Sequence, residues 1–190
     1  EFYALSSPPA SPQETRVGVV LGLLWAAALY SPDLRCFLAA LTFTLLGLTI
    51  WALLQPGEFP VRVQKVSRHL LGLFYVALLL AHFVLMRRME TGSVLVLFTL
   101  VAVYFGDTTA FYIGRAYGKK KLAPRISPGK TVEGGLGAVA GSMAGAVLSK
   151  FIFFPQLPLA HALILGAAAG GIGQLGDLWE SLLKRSVQVK

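Results

Sequence analysis

Apolar residues gather along this chain into six runs, at 17–30, 36–54, 70–86, 93–114, 134–154 and 160–183, separated by short polar breaks. Most of the runs have the roughly 17–25 residues that a helix needs to cross a hydrocarbon layer about 30 Å thick. Backbone polar groups in lipid must be bonded within their own segment, so runs of this length predict helices. The first run is the shortest and the weakest span. The break "YSPDLR" after it predicts a tight helical hairpin with the second. Residues 1–16 are polar, and Pro8, Pro9 and Pro12 predict an irregular segment there. The expected fold class is all-α, a polytopic integral membrane helical bundle of about six transmembrane helices. It divides into a polar N-terminal segment at 1–16, membrane helices at 17–92 and a second membrane region at 93–190.

Composition agrees. The chain is 55% hydrophobic and only 14% charged, against about 25% charged in a soluble domain. The one cysteine, Cys36, excludes an intrachain disulfide. His69, His82 and His161 lie far apart and make no metal-ligand spacing, so they read as packing or interfacial residues. The chain starts at Glu1 with no charged n-region, so a piece of a longer protein is expected and its start is not expected to be a signal peptide. If the 115–133 loop lies in the cytoplasm, 13 of the 17 Lys and Arg residues fall on that side and 4 on the other. The positive-inside rule selects that orientation. The net charge of +8 then reflects topology and affinity for anionic membrane lipids, not nucleic acid. Gly137, Gly141 and Gly145 recur every four residues, as do Gly166 and Gly170. This spacing predicts close helix packing and allows a homodimer without demanding one.

Two strings imitate nucleotide motifs. Gly171 to Gly176 satisfies G-x-G-x-x-G but lies in an apolar run with no strand before it, so close packing or a helix break is expected instead. "ISPGKTVEGG" at 126–135 has Pro124 where a P-loop needs its first glycine. Ser127-Pro128-Gly129 reads as a turn, able to present backbone N–H groups, Ser127, Lys130 and Thr131 to an anion.

The acids carry more weight. Asp107 and Asp177 each precede an arginine by eight residues, Arg115 and Arg185, which places both about 12 Å inside the cytoplasmic boundary. Intramembrane acids are costly and mark function. Glu180 and Ser181 follow Asp177 on one helix face, and Glu133 stands at the mouth of the next span. Carboxylates below a basic loop suit Mg²⁺, which takes one or two carboxylates plus phosphate oxygens and water. Such a pocket suits phosphoryl or nucleotidyl transfer to a lipid.

"GDTTAFYIGRAYGKKKLAPRISPGKTVEGG" at 106–135 resembles the central block of the phosphatidate cytidylyltransferase (CDP-diacylglycerol synthase) family. "LGDLWESLLKRSVQVK" at the end of the chain resembles the start of that family's signature. The resemblance implies that region 93–190 is catalytic and that CTP and phosphatidate become CDP-diacylglycerol and pyrophosphate, with Mg²⁺. It implies roles for Asp107 and Asp177 as metal-binding acids, and for Lys184 and Arg185 beside them. Ser127, Lys130, Thr131, Glu133, Glu180, Ser181 and Lys190 are then expected to bind substrate. A multi-pass bacterial inner-membrane protein with its site facing the cytoplasm is expected. The family pattern continues past Lys190 with an aspartate, a His-Gly-Gly turn and an Asp-Arg-x-x-Asp cluster, and begins with a further span. The full-length parent is therefore expected to be active and these residues alone inactive. The alternatives are a CTP-dependent polyprenol or phytol kinase and, in another class, an ion-coupled transporter; a structural scaffold leaves the acids unexplained.

Overall fold

The computed structural model describes residues 2–3 and 10–186, in two compact units, Glu1–Glu90 and Thr91–Lys190. Among the described residues, five helices are long and apolar enough to cross a membrane. The chain is an all-α, polytopic integral membrane protein, as expected, with five such helices where six runs predict about six; the first run, 17–30, is the one that falls short.

In the first unit, α1 spans Pro12–Tyr30. Pro12 starts this helix, contrary to the irregular segment expected there. Proline is tolerated at the first helical position, where its missing N–H has no partner to lose. Ser11 caps the end, its hydroxyl accepting from the Glu14 N–H, while the Glu14 carboxylate accepts from the Ser11 N–H. This capping box satisfies two orphan donors at once. Pro8 and Pro9 lie outside the described residues. Asp33 caps α2 (Leu34–Leu54) by accepting from the Arg35 N–H at 2.9 Å, so the predicted hairpin forms. The third span starts earlier than its apolar run. α3 (Phe59–Leu71) continues through a π-helical stretch (Gly72–Leu78) into α4 (Leu79–Arg87), forming one helix of 29 residues.

Trp25, Leu48 and Leu73 form the core of this unit, and the Trp25 indole N–H donates to Thr44 Oγ1 at 3.0 Å. Buried Glu14 pairs with Lys65 at 3.0 Å and Arg68 at 2.9 Å. His69 is buried beside them, its ring nitrogens 2.8 Å from the Lys65 carbonyl and 3.1 Å from the Glu14 carbonyl, a packing role as expected.

The second unit comprises α5 (Gly92–Tyr117), a hairpin of β1 (Lys121–Ala123) and β2 (Ser127–Thr131), α6 (Val132–Ile152) and α7 (Leu159–Ser186). α6 packs between α5 and α7. A Cβ at Gly141 or Gly145 would run into the Phe105 and Thr109 region of α5, and one at Gly166 or Gly170 into the α6 backbone. The glycine spacing therefore serves close packing, here inside one chain. Large apolar side chains such as Phe151, Ile164 and Leu175 stay exposed on the outer faces. A lipid solvent accepts them at no cost, because acyl chains are as apolar as they are.

Candidate functional site

The loop between α5 and α6 is held by its own sequence. Thr131 ends β2 and caps α6, its hydroxyl accepting from the Gly134 N–H at 3.1 Å. The next N–H, of Val132, donates to the Lys120 carbonyl at 2.8 Å. Glu133, in the first turn of α6, accepts from the backbone N–H groups of Lys119 at 3.1 Å and Lys120 at 3.2 Å. A carboxylate there also complements the positive end of the helix dipole. The turn lies at 124–126, closed by the Ile126 N–H on the Ala123 carbonyl at 3.1 Å. This corrects the expected turn at Ser127-Pro128-Gly129, which is strand β2. Pro124 presets φ for the turn, and Pro128 is tolerated because both strands of a two-stranded hairpin are edges.

These anchors place β2 over a cleft of about 490 Å³. Asp107, Ala110, Phe111, Gly114 and Arg115 line it from one face of α5, at spacings of three, four, seven and eight residues from Asp107. Gly129, Lys130 and Thr131 line it from β2, Gly134 and Gly135 from the start of α6, and Gln174 and Asp177 from α7. The Lys130 ammonium donates to Asp177 Oδ2 at 2.6 Å and to Gln174 Oε1 at 3.2 Å. Two acids separated by 70 positions thus face one space, with a cation beside them. Among the described residues no group of three or more His, Cys, Asp or Glu side chains could hold a metal. The donors present still fit Mg²⁺, which binds through one or two carboxylates and takes its other ligands from phosphate and water.

The profile of the Cytidylyltransferase family matches residues 9–190, nearly the whole chain. The chain belongs to the cytidylyltransferase family. Among curated proteins it is similar to the phosphatidate cytidylyltransferase of Bacillus subtilis (strain 168), 30% identical over 75% of this chain and 65% of that protein. The phosphatidate cytidylyltransferase of Chlamydia pneumoniae is 31% identical over 90% of this chain and 60% of its own length. That of Haemophilus influenzae is 38% identical over 52% of this chain and 36% of its own length. The chain thus spans less than two thirds of these relatives.

Of the expected site residues, Asp107, Asp177, Lys130 and Thr131 line the cleft. Other expected site residues sit around it without lining it. The Ser181 hydroxyl donates to the Asp177 carbonyl at 2.8 Å, which braces that turn of α7. Lys184 pairs with Glu180 one turn away, both half-exposed. Arg185 donates to the Ile126 carbonyl at 3.4 Å, linking the end of α7 to the hairpin turn. Ser127 pairs opposite Ala123 in the hairpin, and Glu133 is engaged with the two backbone amides. Lys190 lies outside the described residues.

Two polar lining side chains, Gln174 and Arg115, are not among the expected site residues. Gln174 was hidden in the G-x-G-x-x-G string, although its position three before Asp177 puts it on the same helix face. Arg115, which marks the end of its apolar run, also lines the cleft. The string itself neither breaks a helix nor packs closely. It lies within continuous α7, and a Cβ at Gly171, Gly173 or Gly176 would meet open space. Gly106, before Asp107, does pack tightly, since a Cβ there would collide with Ser142 Oγ of α6.

Proposed function

We propose that the protein to which this chain belongs is a membrane nucleotidyltransferase that converts CTP and phosphatidate to CDP-diacylglycerol and pyrophosphate. The observation that carries this reading is the cleft in which Asp107 of α5, Asp177 of α7 and Lys130 of β2 converge. Membership of the cytidylyltransferase family and the names of the similar proteins supply the substrates. The excess of Lys and Arg around the hairpin supports a cytoplasmic opening, and the bacterial relatives support an inner-membrane location.

In the reaction, an oxygen of the phosphatidate phosphate forms a bond to the α-phosphorus of CTP. The bond from that phosphorus to the pyrophosphate oxygen breaks, and pyrophosphate leaves. Lys130 supplies a mobile positive charge to the phosphates at the mouth of the cleft. Arg115 adds a fixed fork of donors that suits phosphate oxygens. Gly129, where a Cβ would meet open space, lets phosphate groups approach the backbone. Asp107 and Asp177 would hold Mg²⁺, which supplies neutralisation of charge on the phosphates. The glycine ladders are used inside the chain, so the site is read as belonging to one copy.

The test is CTP-dependent conversion of labelled phosphatidate in membranes carrying the protein, beside Asp107→Asn and Asp177→Asn. Each variant is expected to lose at least about 100-fold in turnover, the scale of removing one electrostatic stabiliser. Undiminished turnover in both would remove the cleft from the chemistry. Transfer of phosphate to a polyprenol in place of phosphatidate would assign the kinase reaction instead.

A further inference from the structure

We infer that Lys130 is the resident counter-ion of the cleft, holding Asp177 in place of a divalent cation and exchanging to the nucleotide phosphates on loading. The inference rests on the proposed reading of the cleft as a metal-assisted site.

The geometry supports an exchange rather than a fixed salt bridge. The backbone under Lys130 is anchored, since Thr131 caps α6 and the Val132 N–H is bonded to the Lys120 carbonyl. Only the four-carbon side chain of Lys130 is left to move, and its charge is a point that can change partners. At present it lies 2.6 Å from Asp177 Oδ2, with Gln174 Oε1 receiving a second bond at 3.2 Å. An ammonium this close to Oδ2 competes with Mg²⁺ for the same carboxylate, because the two cations repel each other. The Asp177 side chain is 48% exposed and that of Lys130 22%, so the pair opens to the cleft and is not sealed by packing. Without a cation, the carboxylates of Asp107 and Asp177 would repel each other across the shared space. Lys130 offsets that repulsion. Once a triphosphate arrives, the same ammonium has a new anionic partner and Asp177 is released.

This role has an unusual sign. Removing a merely structural lysine would loosen the cleft and weaken cation binding. Removing a competing counter-ion strengthens it.

The experiment measures Mn²⁺ binding by electron paramagnetic resonance in the full chain purified in lipid nanodiscs, with no nucleotide present. Wild type is compared with Lys130→Met, Lys130→Arg, Asp177→Asn and Asp107→Asn, each checked for an unchanged thermal transition. Lys130→Met is expected to bind Mn²⁺ about five-fold more tightly, the factor for a half-exposed ion pair of about 1 kcal/mol at 1.4 kcal/mol per decade. Lys130→Arg keeps the charge and is expected to bind as wild type does. Asp177→Asn is expected to bind at least about ten-fold more weakly, having lost a ligand. Equal or weaker binding in Lys130→Met, while Asp177→Asn still weakens it, overturns the counter-ion role and leaves the cleft as the metal site. Wild-type affinity in both aspartate variants overturns the counter-ion role and the metal reading of the cleft together.

Discussion

Neighbouring glycines on α7 are expected to respond to alanine in opposite directions. At Gly170 the new Cβ would sit 2.7 Å from Val139 Cα and 2.8 Å from the Ala138 carbonyl oxygen, both backbone atoms of α6. Ordinary contact starts at 3.4 Å, so the two helices must separate by about 0.7 Å at this point. Backbone cannot rotate away as a side chain can, and overpacking of this kind costs about 1–3 kcal/mol. For a chain of this size that corresponds to a loss of roughly 2–12 °C in melting temperature. Asp177 lies two turns further along the same helix, so the displacement reaches its contact with Lys130. Misplacement on the 1 Å scale costs up to about 100-fold in turnover. At Gly171 the Cβ meets open space, and alanine is the better helix former by about 0.8–1.0 kcal/mol. Gly171→Ala is therefore expected to melt roughly 2–4 °C higher. The assay is thermal unfolding of the purified protein, with CTP-dependent turnover measured beside it. A Gly170→Ala protein that melts and turns over like Gly171→Ala would refute the packing that positions Asp177.

Two further outcomes follow from local chemistry. Thr131→Val removes the hydroxyl that caps α6 and is expected to cost about 1 kcal/mol, with Thr131→Ser restoring most of it in the same melting assay. Burial pushes the Glu14 carboxyl up, but the Ser11 N–H and the Lys65 and Arg68 charges outweigh it and hold Glu14 below its ordinary value. A depressed carboxylate stabilises fully above the unfolded value of about 4.3 and loses that contribution as pH falls through the lower folded value. The gap in melting temperature between wild type and Glu14→Gln is thus expected to be largest near pH 7 and to shrink below pH 4.3; a gap independent of pH would refute the ion-pair account.

Much of the fold was legible because lipid imposes a simple rule. Every span must satisfy its own backbone, so long apolar runs become helices whatever their neighbours. Runs with few charges therefore determined the membrane bundle, and Gly-x-x-x-Gly spacing determined which helix faces approach closely. Helix starts were less legible. Pro12 reads as a breaker when taken alone, but within the Ser11–Glu14 capping box it starts a helix. The residues of Ser127-Pro128-Gly129 favour a turn, but pairing with β1 makes the stretch a strand. Local preference is weak there, and a few backbone bonds to a partner strand override it.

The sequence by itself determined that Asp107 and Asp177 each sit on an apolar run eight residues before an arginine, which makes similar depths an expectation for each helix separately. Depth is a property of one helix at a time. That the two acids open into the same cleft, that Lys130 reaches Asp177 and that Gln174 joins them are properties of three elements at once. Only tertiary structure decided these, because the rotation of each helix about its axis is set by which small residues lock against the next. The same geometry decided that Glu133, Ser181 and Arg185 hold the walls of the cleft and do not line it, since each already bonds to a backbone group nearby.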